Sequence, residues 1–139
     1  MSGTDFLGPR GPRQETIGVL VRDQRSADQV ARGLEDRDIT IRQMTKKSGI
    51  VKSPQLMTMH RSKGMEFSRV LIFGVDADLV PASYLLKSTP EGEHDDLLHR
   101  ERSLVYVAAT RGRDELVVMW AGQRSSFLPE ATTGTNGVV

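Results

Sequence analysis

The sequence predicts one α/β layered domain around a largely parallel sheet. Three observations carry this. Apolar segments follow one another in the order β-α-β-β-β-α-β with few hairpin signals, which favours crossover connections over meanders. The run Val70-Leu-Ile-Phe-Gly-Val75 is apolar almost throughout, as in a strand covered on both faces. The chain has 139 residues, enough for one domain that buries roughly 68% of the surface exposed by its unfolded chain.

The elements can be justified in order. Residues 1–15 are rich in Gly, Pro and Arg and read as a flexible lead-in to a core over 16–128, with a flexible tail over 129–139. Ile17 to Val21 is a short apolar run and reads as a buried strand. Asp23 caps the following helix, with Ser26 as the alternative cap. Ala27, Val30, Ala31 and Leu34 recur on one helical face, and the helix should end near Asp36. Ile39 to Met44 alternates and reads as a strand; Lys46 to Lys52, around Gly49, is a turn; Leu56 to Met59 is a third strand. After the strand Val70 to Val75, residues 76–92 hold Pro81 and Pro90 and read as loop. Leu97, Leu98, Leu104, Val105 and Ala108 fit a helical face running to about Arg111, although Leu104 to Val107 also suits a strand. Gly112 is a natural helix stop, and Glu115 to Trp120 forms the last strand.

Composition removes several function classes. Nineteen Lys and Arg against 18 Asp and Glu give a net charge of +1, so any basic site must be local. There are no cysteines, which excludes disulfides, thiolate nucleophiles and Cys-ligated zinc. No apolar run is long enough to span a membrane, and the first residues lack the apolar stretch of a signal peptide.

Two clusters can carry chemistry. The first is Thr58-Met-His60-Arg-Ser-Lys63-Gly64-Met-Glu66-Phe67, between two strands. Ligands in open α/β sheets bind at the carboxyl ends of strands. A hydroxyl, an imidazole and an ammonium there suit a phosphate, and Gly64 lets backbone approach closely. The alternative is a charged surface loop with a satisfied histidine. The second cluster runs from Glu101 to Arg113. Glu101 lies in the apolar stripe of its helix and needs a partner if buried. Arg111 and Arg113 flank Gly112. They either complement the helix C-terminus or present a guanidinium fork to a phosphate.

Two absences are equally informative. No G-x-x-x-x-G-K-[ST] cradles a triphosphate. Asp76 with Asp78, and Asp95 with Asp96, read as solvated loop carboxylates rather than Mg²⁺ ligands. His60, His94 and His99 lack metal-ligand spacing, so no metal site is expected.

Taken together the clusters resemble a known family. Thr58-x-His60-x-x-Lys63-Gly64-x-Glu66-Phe67 is similar to motif V of the UvrD/Rep/PcrA-like superfamily 1 DNA helicases. Glu101-Arg-x-Leu-x-Tyr106-Val-Ala-x-Thr110-Arg111 is similar to their motif VI, and Ile17 to Asp36 to the strand and helix upstream. The resemblance covers about residues 16–121 and favours helix at Leu104 to Val107. It implies the C-terminal RecA-like (2A) domain: a three-layer, P-loop-NTPase-like fold without the P-loop. Such helicases couple ATP hydrolysis to movement on single-stranded DNA, with nucleotide and Mg²⁺ sandwiched between two RecA-like domains.

Carried over, Arg111 is the arginine finger on the γ-phosphate, and Gly64 and Glu66 lie on the nucleotide side. Thr58 and His60 approach the DNA backbone, and Lys63, between the two ligands, is grouped with them. Glu101 and Tyr106 support the motif VI helix. The implied partners are single-stranded or partly duplex DNA and the N-terminal P-loop domain of the same polypeptide. No membrane is implied, and no cofactor should be bound to this chain alone. The resemblance further implies a cytoplasmic, nucleoid-associated protein serving DNA repair.

Departures from the family pattern matter. Gly112 stands where alanine is common and should loosen the helix end, and Met65 replaces leucine. Motif IV, with its second γ-phosphate arginine, is not recognisable in residues 1–15. Only residues 45–55 bridge the point where many relatives insert an accessory domain, so that domain is either naturally lacking or deleted. The competing readings are a stand-alone degenerate RecA-like module that binds DNA or protein, and an unrelated small α/β hydrolase, for which no G-x-S-x-G exists.

Overall fold

The computed structural model describes residues 16–39, 41–43 and 54–128. The lead-in over 1–15, the turn over 46–52 and the tail over 129–139 lie outside the described residues. In chain order the elements are β1 (Ile17–Val21), α1 (Gln24–Glu35), β2 (Arg42–Gln43), β3 (Gln55–Thr58), β4 (Phe67–Ile72), α2 (Ser83–Ser88), a 3₁₀ turn (Glu91–Glu93), α3 (His94–Ala109) and β5 (Gly112–Val118). They form a five-stranded sheet in the order β2-β3-β1-β4-β5. Every pairing between these five strands is parallel.

The three layers follow from period-two alternation along the strands. Val19, Val21 and Leu56 pack with Ala27, Val30 and Ala31 of α1 on one face. Leu20, Met57, Val70 and Ile72 pack with Leu104 and Ala108 of α3 on the other. Central β1 is therefore covered on both sides, and Leu20 and Val21 are fully buried. The observed architecture is the α/β domain with a parallel sheet that the sequence predicts.

Local chemistry explains the boundaries. Asp23 is the cap of α1, its carboxylate accepting from Ser26 N at 2.8 Å. In α3 the buried residues Leu97, Glu101, Leu104 and Ala108 form a helical stripe, so Leu104 to Val107 is helix.

Some elements differ from their sequence expectation. β4 starts at Phe67 and stops at Ile72, ahead of Gly74 with its φ of +76°. Ser68 fixes that early start: its hydroxyl donates to Thr16 O and accepts from Thr16 N, both at 2.7 Å. β5 likewise starts at Gly112 and stops at Val118 rather than running from Glu115 to Trp120. Phe67 pairs with Gly112 but Arg69 with Glu115, so β5 carries a bulge of one extra residue. Gly112 belongs to that bulge, not to the helix, which ends at Ala109 with Thr110 as cap. A β-carbon at Gly112 would come within 2.7 Å of Glu115 O. The residues expected to be loop contain α2, whose six residues are too few to show a helical period. Of the strand expected over 39–44, only Arg42–Gln43 is strand among the described residues.

Candidate functional site

The segment 59–66 is the centre of the site. It leaves β3 at Thr58 and enters β4 at Phe67, with β1 lying between those strands. Parallel pairing means it must cross the sheet from carboxyl edge to amino edge. Met59 and Met65 anchor it to the core on the α3 face. The first cluster is thus not confined to the carboxyl edge. Thr58 and His60 lie at that edge, while Glu66 lies beside the amino end of β4, roughly 15–20 Å away by strand rise.

Hydrogen bonds within the segment hold its shape. Thr58 Oγ1 accepts from Arg61 N at 3.2 Å. Buried Ser62 donates its hydroxyl to Met59 O at 2.7 Å. Met65 N donates to Ser62 O at 2.9 Å. Gly64 has a φ of +80° and open space where a β-carbon would stand. Its glycine is required by the turn, and its open side is free for a ligand.

Arg111 meets this segment at the end of α3. Its guanidinium donates to Val107 O at 3.2 Å, Met65 O at 3.3 Å and Thr110 Oγ1 at 3.2 Å. Its own carbonyl accepts from Phe67 N at 2.8 Å. All three acceptors, two backbone carbonyls and one hydroxyl, are neutral and the bonds are long. Arg111 is therefore positioned but keeps its charge uncompensated by a carboxylate. Arg113 differs: its fork bonds Asp114 at 3.2 and 3.0 Å. The Asp114 hydrogen bond holds Arg113 above its ordinary pKa despite some desolvation, with a smaller pull from the charges of Asp114 and Glu66. Of the two arginines flanking Gly112, only Arg111 presents an uncommitted charge.

At the carboxyl edge the partner of Glu101 is Arg22, the residue after β1. Arg22 Nε donates to Oε1 at 2.9 Å and Nη2 to Oε2 at 2.6 Å. Ala82 N also donates to Oε1 at 3.2 Å. Both side chains are buried. Burial works against the Arg22 charge, yet the hydrogen bonds and charge of Glu101 outweigh it and raise its pKa. This fork locks α3 to β1 and to the residues before α2. Sequence reading demanded a partner for Glu101 but did not single out Arg22, which is 79 positions away. A lone arginine directly after a buried strand was the available signal.

Other candidate residues have plain structural accounts. Asp76 Oδ1 accepts from Ala121 N at 2.7 Å. Asp95 and Asp96 sit in the first turn of α3, where the helix dipole favours them. Tyr106 does not support the helix by packing: it is 72% exposed. Among the described residues no three His, Asp or Glu side chains gather to hold a metal ion, and no helix is long and apolar enough to cross a membrane.

His60 and Lys63 open onto a groove of about 310 Å³ against α3, where His99, Arg100, Ser103, Leu104 and Val107 form the other wall. Desolvation lowers the His60 pKa most, the Arg22 and Lys63 charges lower it further, and Glu101 opposes them. The structure thus separates two groups: Thr58, His60 and Lys63 from the carboxyl edge inward, and Gly64, Glu66 and Arg111 toward the amino edge.

Comparison with known proteins identifies the family of the chain. Residues 37–123 match the family model of the UvrD-like helicase C-terminal domain. The ATP-dependent DNA helicase PcrA of Staphylococcus aureus (strain MRSA252) is 42% identical over 72 residues, 52% of this chain and 9% of the relative. The ATP-dependent DNA helicase Rep of Buchnera aphidicola subsp. Baizongia pistaciae is 41% identical over 73 residues, 52% of this chain and 10% of the relative. The matches thus span about a tenth of these relatives' length. In fold, the chain is similar to the crystal structure of the C-terminal domain of a possible DNA helicase from Lactobacillus plantarum WCFS1. That likeness has a TM-score of 0.62 at 16% identity, covering 81% of this chain and 60% of the other. With motif-bearing segments inside the matched residues and a parallel three-layer fold around them, the chain belongs to the UvrD-like helicase C-terminal domain family.

Proposed function

We propose that this chain acts as the C-terminal motor domain of an ATP-dependent UvrD-like DNA helicase. In this reading Arg111 is the arginine finger, Gly64 and Glu66 face the nucleotide, and Thr58, His60 and Lys63 meet the backbone of single-stranded or partly duplex DNA. ATP is the substrate of the composite site, and the P-loop comes from an N-terminal RecA-like domain of the same polypeptide. In the complete helicase Mg²⁺ would accompany the ATP at that composite site. The protein would work inside the cell on chromosomal DNA, in repair among other tasks.

The observation that carries the proposal is the state of Arg111. It is held between the 59–66 segment and the end of α3 by three neutral acceptors. Long bonds of this kind are cheaply exchanged for charge-assisted bonds to a γ-phosphate. A guanidinium there stabilises the charge spread over the transferring phosphoryl group. Because that contact exists only with the γ-phosphate present, closure of the two domains follows the nucleotide state.

ATP turnover tests this. The isolated chain should hydrolyse no ATP. In a polypeptide that joins it to its P-loop domain, Arg111→Ala should lower turnover by about 10³–10⁵ while leaving the fold intact. Robust turnover by these 139 residues alone, or unchanged turnover in the variant, overturns the reading.

A further inference from the structure

The groove between the 59–66 segment and α3 holds a further cation, Arg100, beside the His60 and Lys63 singled out from the sequence. His99, Arg100 and Ser103 line it from α3, opposite His60 and Lys63. His99 and Ser103 are four residues apart and share a helix face. Among the described residues no carboxylate lines the groove, and the nearby Glu101 is committed to Arg22. Among the described residues, the Lys63, His99 and Arg100 side chains make no hydrogen bond or ion pair.

Ammonium and guanidinium groups are donors only. Gathered without acceptors, they select a ligand that is anionic and rich in acceptor oxygens. Ser103 adds a hydroxyl, and Leu104 and Val107 add apolar surface that suits a sugar. Among the described residues no aromatic side chain lines the groove to give a base a stacking platform. These properties match a phosphodiester backbone read without regard to sequence. The chain's net charge of +1 makes this local concentration of cations stand out against its surroundings.

We propose that this groove is a phosphate seat for a nucleic-acid strand, in which His99, Arg100 and Ser103 of α3 act together with His60 and Lys63. The inference rests on the helicase-domain reading for the identity of the strand, and it adds α3 as a second wall of the DNA site. It also gives α3 two tasks. The middle of the helix holds DNA phosphate while its end carries Arg111, so one rigid element joins both ligands.

The three histidines supply the test. His60 and His99 line the groove, whereas His94 bonds Thr89 O at 2.9 Å and serves as an internal reference. Imidazole NMR resonances are followed while a ten-nucleotide oligothymidylate is added to the intact chain, and inorganic phosphate is added in a parallel series. The oligonucleotide should shift His60 and His99 but not His94. Arg100→Glu should weaken binding by on the order of tenfold, abolish the His99 shift and leave His94 unmoved, with Arg100→Gln showing a smaller loss. Each lost phosphate contact should reduce the salt slope of binding by about 0.7. If the oligonucleotide moves His60 alone and Arg100→Glu binds normally, the α3 seat is wrong and the helicase-domain reading stands. If neither histidine responds, the DNA contacts of both readings fail. If inorganic phosphate moves both histidines at the same concentration as the oligonucleotide, the groove is a free-anion site, and its assignment to a strand is overturned.

Discussion

At the scale of single residues, the Arg22–Glu101 fork is the costliest contact to disturb. Both partners are buried, and Glu101 also accepts from Ala82 N. Removing one partner strands the other charge in the interior, which typically costs about 3–5 kcal/mol. Arg22→Ala should lower stability by that amount in urea denaturation. Arg22→Met combined with Glu101→Leu should recover much of the loss, and no recovery would mean that shape rather than charge sets the cost. His60 gives a pH signature. It faces Arg22, Lys63 and Glu101, and shares its groove with His99 and Arg100. Its folded pKa is below the ordinary value of 6.5, so the unfolded chain takes up the proton first as the pH falls. Its contribution is therefore complete above about pH 6.5 and is lost as the pH falls below that value. Urea titrations from pH 7.5 to 5 should show His60→Gln losing less stability than the parent, and parallel losses would refute the assignment. The motif residues were legible in the sequence because each lies in a local string. Arg22 as a partner was not, since its contact spans 79 positions.

At the scale of elements, the 59–66 segment replaces the helix that usually covers a parallel crossover. It crosses the α3 face as an irregular chain because Met59 and Met65 supply the core contacts. Its far end depends on Gly18 of β1, against which the Phe67 ring packs. A β-carbon at Gly18 would meet that ring at 2.6–2.8 Å. Gly18→Val should therefore destabilise the fold by about 1–3 kcal/mol through overpacking, seen as a lower urea midpoint. A fully tolerated valine would show that Phe67 has room to move. The helix α1 was visible in advance through its apolar stripe, whereas the stripe of α3 left Leu104 to Val107 open to a strand until the family resemblance favoured helix. The start of β5 was not, because a bulge at Gly112 breaks the two-residue period without changing composition.

At the scale of the whole molecule, charge is balanced globally and uneven locally. A net charge of +1 provides no long-range attraction for DNA. Binding should then depend on the groove cations alone, with Lys63 and Arg100 neutralising about two phosphates. The plot of log K against log salt should have a slope of about −1.4 for single strands. A much steeper slope would place binding elsewhere on the surface. The sequence by itself determined the fold class, the family resemblance and the residues of the 59–66 segment and α3. Those properties are written in short-range periodicity and local motifs, and a helix face or strand alternation needs only neighbouring positions to be read. Only the tertiary structure decided that one crossing segment spreads its residues between two edges of the sheet. It alone paired Glu101 with Arg22, separated the uncommitted charge of Arg111 from the neutralised Arg113, and brought His99 and Arg100 opposite His60 and Lys63. Each of these depends on strand order and on parallel pairing across β1, which bring together side chains far apart in the chain.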